Sequence, residues 1–259
     1  MDYINIQQIA DSGQIFRFNF AGDDKWELIA GDKYWLIDTS KEIVFPDKFW
    51  EHYFDMETDY GKFIKAIPKS DKYLTNAAMA SSGIRILNQD PWEMLISFII
   101  SQRKSIPAIK TSIEKLCTKF GTILPKTGGY FYAFPTPEQL SKASLDDLQE
   151  CSLGYRAPYV YEAAQKVARG DYDLAGWRHL PDEELRAALM SIKGVGIKVA
   201  NCVMLFGYHR IGAFPVDVWI QRIMDTYYEG RFPVEKYPGY AGVMQQYMFF
   251  YERTLKDRL

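Results

Sequence analysis

Cysteine and histidine are scarce in this chain, long apolar runs are missing, and neither sign of charge dominates. Cys117, Cys151 and Cys202 are too scattered for a zinc site, a redox Cys-x-x-Cys pair or a disulfide framework, so reduced thiols are expected. His52, His179 and His209 also lack metal-ligand spacing, and no metal is expected. No apolar run approaches the roughly 18 residues needed to span a bilayer. The opening MDYINIQQIADSG lacks the basic and then apolar pattern of a signal peptide, which predicts an intracellular location. Internal repeats and low-complexity segments are absent too.

What is present is a chain of 259 residues, 47% hydrophobic and 15% aromatic, able to bury a substantial core in two modest domains or one large one. A net charge of −2 argues against a nucleic-acid partner only on average. Residues 1–60 hold thirteen Asp or Glu against five Lys or Arg, a balance of −8, which leaves +6 for residues 61–259. The second part is therefore the expected nucleic-acid face, although +6 over that length also suits ordinary solubilising charge.

The most informative stretch is LMSIKGVGIKVANCVMLFGYHRIGAFPVDVWI, residues 189–220. Leu185, Leu189 and Ile192 share one helical face until Lys193-Gly194-Val195-Gly196 breaks the pattern. A second helix of about ten residues is predicted from Ile197 to Gly207, giving helix, tight hairpin, helix. Glycines there allow close backbone approach, and the amides opening the second helix form a phosphate site at the positive end of its dipole. Lys198 lies in the first turn, where the dipole and desolvation would push its pKa down toward a nucleophilic amine. Asp217, after Phe214-Pro215-Val216, reads as the N-cap of a third helix over Val218–Tyr227, and an N-cap carboxylate stays ionised. Taken alone, the same residues are also a C-cap glycine, a packing glycine, a solvated lysine and a capping aspartate.

GVGIKVANC followed by PVDV resembles the helix-hairpin-helix glycosylases with a Gly/Pro-Asp loop, and within them the prokaryotic-type 8-oxoguanine DNA glycosylase/lyases. The resemblance implies an α+β fold, an N-terminal antiparallel β-sheet domain followed by a mostly α-helical core. Boundaries are expected at 1–75 for the β domain, 76–180 and 236–259 for a helical domain, and 181–235 for the hairpin and Pro-Val-Asp domain. It assigns Lys198 as nucleophile and Asp217 as its acidic partner, with Gly194, Val195, Gly196 and Val199 on the DNA backbone. No metal or organic cofactor is expected. The iron-sulfur cluster of some relatives needs four closely spaced C-terminal cysteines, and none follows Met224. The partner implied is double-stranded DNA containing 8-oxoguanine, met by a monomer in a prokaryotic cytoplasm.

The first segment reads as strands in QIFRFNF, KWELIAG, DKYWLIDT and KEIVF, separated by short turns. Gly13, in Gly13-Gln14-Ile15-Phe16-Arg17, is similar to the family glycine whose carbonyl enters the base pocket. Guanine N7 is an acceptor but 8-oxoguanine carries a hydrogen there, so one fixed carbonyl attracts the lesion and repels the normal base. Helices are predicted from Asp90-Pro91 onward and over Ile106–Phe120. In the connector Ser101–Ser105, the resemblance places Arg103 at a gap-filling position with Lys104 beside it, a pair that otherwise reads as solvated charge. Ala108 stands where eukaryotic members have the arginine that reads the orphaned cytosine, so the resemblance does not carry over a strict preference for cytosine opposite the lesion. After a helix to about Cys151, the resemblance assigns Tyr155 as the wedge and Arg156 as its neighbour on the orphan strand, where the residues alone read as a Gly154 C-cap and half-buried packing. Gln245 and Phe249 share a helix face, a spacing that also suits plain core, and the resemblance implies that with Cys202, four residues after Lys198, they hold the flipped base. Trp219 is the counterpart of a phosphate-contacting histidine. Two alternatives stay open: a glycosylase for another damaged purine, disfavoured because monofunctional members need no amine, and a non-catalytic hairpin module that binds DNA.

Overall fold

The computed structural model describes residues 3–256. In chain order it contains α1 (Ile6–Asp11), β1 (Phe18–Gly22), β2 (Lys25–Ala30), β3 (Lys33–Asp38), α2 (Lys48–Tyr53), α3 (Tyr60–Lys65), α4 (Lys72–Ala80), α5 (Pro91–Ser101) and α6 (Ile106–Phe120). There follow β4 (Ile123–Lys126), β5 (Gly129–Tyr132), α7 (Pro137–Leu140), α8 (Leu145–Glu150), α9 (Ala157–Ala168), α10 (Asp182–Met190), α11 (Ile197–Phe206), α12 (Val218–Tyr227) and α13 (Ala241–Lys256). The chain divides into two compact units, each assembled from separated segments. One comprises the residues up to Ile15, Val44–Asn88 and those from Met204 on; the other comprises Phe16–Ile43 and Gln89–Val203.

In the second unit β1, β2 and β3 form an antiparallel sheet in that order. Trp26, Leu28 and Ala30 alternate inward along β2, as a half-buried strand requires. The β1–β2 loop is Asp23-Asp24, both at positive φ, the primed geometry that matches strand twist. KEIVF forms no fourth strand: β3 ends the sheet, Val44 is 77% exposed, and Pro46 follows without an amide to donate. Arg17, 1% exposed, pairs with Glu114 at 2.9 Å and donates to the Tyr132 carbonyl, tying the sheet to α6 and to the β4–β5 hairpin. Asp90 caps α5 through the Glu93 amide, with Pro91 opening the helix.

Glu93 is itself buried, and its Oε2 accepts from the Gly31 amide in the β2–β3 turn. Burial, against the opposing pull of Arg17, raises its pKa to about 7 from an ordinary 4.5. Between those values the folded chain keeps a proton that the unfolded chain has released. The stabilisation is therefore complete below the ordinary value and is lost as pH climbs through the raised one. Glu93→Gln removes this titration. Urea unfolding at about pH 5 and about pH 8 should show the variant gaining ~2–3 kcal/mol relative to wild type over that interval.

In the first unit, helices α2 and α3 and the start of α4 lie beyond the sheet and inside the segment 1–75 expected as a β domain. α13 packs on α4 and α12, and Ser81 Oγ reaches the Tyr247 carbonyl at 3.2 Å. Arg253 donates to the Asp11 carbonyl at 3.0 Å, so the last helix holds the first.

Candidate active site

α10 buries Leu185 and Leu189, Ile192 follows at 2% exposure, and the chain turns at Gly194 with φ +85. A Cβ there would lie 2.5 Å from the ring of Tyr159, so both backbone and packing demand glycine. Gly196 is different. It is exposed, and a Cβ on it would meet nothing within 4 Å, which leaves no packing reason for glycine and an open approach to the helix start. The Ala200 amide reaches the Gly196 carbonyl at 2.9 Å, so the amides of Ile197, Lys198 and Val199 precede the α11 ladder. Val195 and Val199 bury their side chains, which limits any backbone grip at those positions to main-chain groups.

Lys198 falls in the first turn of α11, half-buried, with Nζ 5.4 Å from the centroid of the Phe98 ring. Phe98 is buried and meets Phe16 edge-on at 5.6 Å. An aromatic floor beneath the lysine was not foreseen from sequence, where Phe98 reads only as one more apolar residue of α5. Cys202, 3% exposed, lies one turn further along α11.

In the other unit Asp217 caps α12, and both capping bonds, from the Trp219 and Ile220 amides at 3.0 and 2.9 Å, fall on Oδ1. Phe214, just upstream, stacks on Phe232 at 5.0 Å with 6° between the rings, which anchors the approach to the cap. The Arg222 guanidinium sits 5.5 Å from the Trp219 ring centroid, bringing to this helix start the positive charge that tryptophan lacks. Gly13 adopts φ +77. Its neighbour Gln14, fully buried and unassigned from sequence, donates to the Arg85 carbonyl at 2.9 Å and accepts from the Leu87 amide at 2.8 Å, which fixes the backbone around the glycine. On α13, Gln245 is 4% exposed and accepts from Gln246, while half-buried Phe249 has the Arg253 guanidinium 5.4 Å from its ring centroid.

The connector between α5 and α6 exposes Arg103 at φ +52. Lys104 turns the other way, donating to Ser112 Oγ and the Ser152 carbonyl, and burial followed by nearby Arg156 lowers its pKa. Tyr155 is 50% exposed. Arg156, expected beside it on DNA, is only 6% exposed: its guanidinium is spent on the carbonyls of Gln102 and Leu153, so it serves the chain itself.

Residues 96–231 match the family described as "HhH-GPD superfamily base excision DNA repair protein", about half of the chain. The chain belongs to that superfamily. Residues 2–95 match a second family, described as "8-oxoguanine DNA glycosylase, N-terminal domain". Among HhH-GPD relatives, the chain is 33% identical over 240 residues to a probable N-glycosylase/DNA lyase of Methanothermobacter thermautotrophicus, covering 81% of this chain and 76% of that protein. It is 37% identical over 209 residues to the N-glycosylase/DNA lyase of Saccharomyces cerevisiae, covering 76% of this chain and 50% of the yeast protein. The Clostridium acetobutylicum 8-oxoguanine glycosylase/lyase, solved with double-stranded DNA containing cytosine opposite 8-oxoG, superposes with a TM-score of 0.93 at 33% identity, covering 99% of this chain and 94% of that one.

For an HhH-GPD hairpin the two glycines predict opposite phenotypes. Gly194→Ser should lower the thermal midpoint by several degrees, since a left-handed backbone and the Tyr159 ring both resist it, at about 1–3 kcal/mol. Gly196→Ser should hold or raise the midpoint, serine being a good N-cap, yet weaken binding to a short duplex by roughly tenfold by filling the approach to the amides.

Proposed function

We propose that this protein excises 8-oxoguanine from double-stranded DNA and then cuts the strand by β-elimination. The observation that carries the reading is Lys198: an amine in the first turn after the hairpin, half-buried over an aromatic ring, in a chain whose relatives are named N-glycosylase/DNA lyase. In this scheme the amides at Gly194–Gly196 and the start of α11, with Val199 among them, bind backbone phosphates, while Tyr155 enters the stack and Arg103 fills the gap. Trp219, with Arg222 above it, completes the backbone contacts, whereas the Lys104 ammonium, expected there from sequence, is held by Ser112 and Ser152.

The extruded base is read by the Gly13 carbonyl, which accepts from N7–H of the lesion, and held by Gln245, Phe249 and Cys202. As the C1′–N9 bond breaks, the Asp217 side chain stabilises the oxocarbenium-like sugar and the Lys198 amine forms a bond to C1′. Opening of the sugar gives a Schiff base. Loss of a proton from C2′ then expels the 3′ phosphate, and hydrolysis frees the lysine. No redox partner enters this sequence. The proposed setting is a prokaryotic cytoplasm, where Ala108 and Trp219 depart from the eukaryotic pattern and opposite-base preference is relaxed.

Borohydride trapping tests the reading. A covalent adduct is expected on duplexes carrying 8-oxoguanine opposite each of the four bases, and none on a plain guanine duplex. Duplex binding without any adduct would overturn the lyase assignment.

A further inference from the structure

Gln102 ends α5 as its C-cap, but its side chain does more than close the helix. Nε2 donates to the Ile99 carbonyl, one turn back, and also to the carbonyl of Gly194 in the hairpin, both at 3.1 Å. Its backbone carbonyl is held from a third direction. Arg156 donates to it through Nε at 2.7 Å and through a second guanidinium nitrogen, while the Tyr155 hydroxyl lies 3.4 Å away. The Arg156 guanidinium also stacks 4.3 Å from the centroid of the Tyr155 ring. On the far side Tyr155 meets Tyr159 edge-on at 6.4 Å, and Tyr159 occupies the space a side chain on Gly194 would need.

The contacts close a ring: Gln102 to Gly194, Gly194 to Tyr159, Tyr159 to Tyr155, and Tyr155 with Arg156 back to Gln102. Capping alone explains the Ile99 bond and none of the others. We infer that Gln102, braced by buried Arg156, is a positioning residue that holds the exposed Tyr155 and the phosphate-gripping hairpin at a fixed separation. The inference rests on the proposed function, because it gives the brace a task. Extruding a base means that binding at the hairpin must be transmitted to the ring entering the stack. A hairpin and a wedge that move independently dissipate binding free energy as internal motion, whereas a rigid pair delivers it to unstacking. In this scheme Gln102 acts through the hairpin and Tyr155 rather than on the sugar or the base.

Gln102→Met tests this, since methionine keeps the length and volume but loses both donors. Two single-turnover rates are compared: excision from an 8-oxoguanine duplex, and strand cleavage at a preformed abasic site, which has no base to extrude. The variant is expected to lose roughly 10- to 100-fold in excision and less than about threefold in abasic cleavage, as removal of one positioning bond predicts. Both rates draw on the same folded fraction, so their ratio is insensitive to partial unfolding. Placing the lesion opposite an abasic analogue, where stacking is already weakened, should restore most of the lost excision. Equal losses in both reactions, or no loss in either, overturn the brace. A wild-type protein that cleaves abasic sites but leaves 8-oxoguanine untouched overturns the lesion assignment instead, and the two failures are read from different arms.

Discussion

Lys198→Gln is expected to leave a folded protein that binds duplex DNA but neither releases 8-oxoguanine nor forms a borohydride-reducible adduct. The amide is close in length and cannot form a Schiff base, so excision should fall by at least ~10³-fold, the scale on which loss of a nucleophile is felt. Stability should change little. The ammonium lies 5.4 Å from the Phe98 centroid, and a contact of this kind is worth about 0.5–1 kcal/mol at a partly exposed site. Duplex affinity should stay within a few-fold, because the hairpin amides that would bind phosphate belong to the main chain. An adduct that survives in this variant would move the nucleophile to another amine and sink the assignment.

Asp217→Asn separates two jobs that one carboxylate performs. Asparagine caps helices about as well as aspartate, and both capping bonds fall on a single oxygen that an amide can supply. Unfolding free energy should therefore stay within about 0.5 kcal/mol of wild type. Excision should nevertheless drop by ~10²–10³-fold, because the neutral amide no longer answers the positive charge that develops on the sugar. Asp217→Ala should lose the same activity and in addition about 1 kcal/mol of stability. If Asn and Ala lose stability equally while excision persists, Asp217 is a cap and nothing more.

The part of the fold that was legible in sequence is the part whose boundaries are written in local chemistry. α11 and α12 have the expected limits because glycine brackets the first and Asp217 caps the second. α5 likewise starts at Asp90-Pro91. The elements that sequence does not reveal are those whose pairing partners are distant or whose caps lie inside a longer polar stretch. The β4–β5 hairpin escaped notice: Ile123 and Tyr130 are each 61% exposed, and it is steadied by Lys126 on Glu27 and by Phe131 beside Tyr34. One helix was expected up to Cys151, yet there are two short ones, each opened by its own capping box at Thr136 with Gln139 and at Ser144 with Asp147.

The candidate site shows the same division. The residue types at Lys198 and Asp217 are visible in a one-dimensional motif. The aromatic floor at Phe98, the Gln14 clasp beside Gly13 and the inward guanidinium of Arg156 depend on which carbonyl or ring happens to lie within reach. Arg156 illustrates the point: next to an exposed tyrosine it reads as a surface cation, and only the Gln102 carbonyl reveals why it is buried.

The bond from Arg253 to the Asp11 carbonyl bears on how the protein is made. A ribosome adds roughly 5–20 residues per second, so α1 waits on the order of ten seconds or more before the helix that secures it has been synthesised. That unit cannot be completed until α13 has been synthesised, and a nascent chain stalled before Arg253 would expose an unsecured first helix to proteases and chaperones.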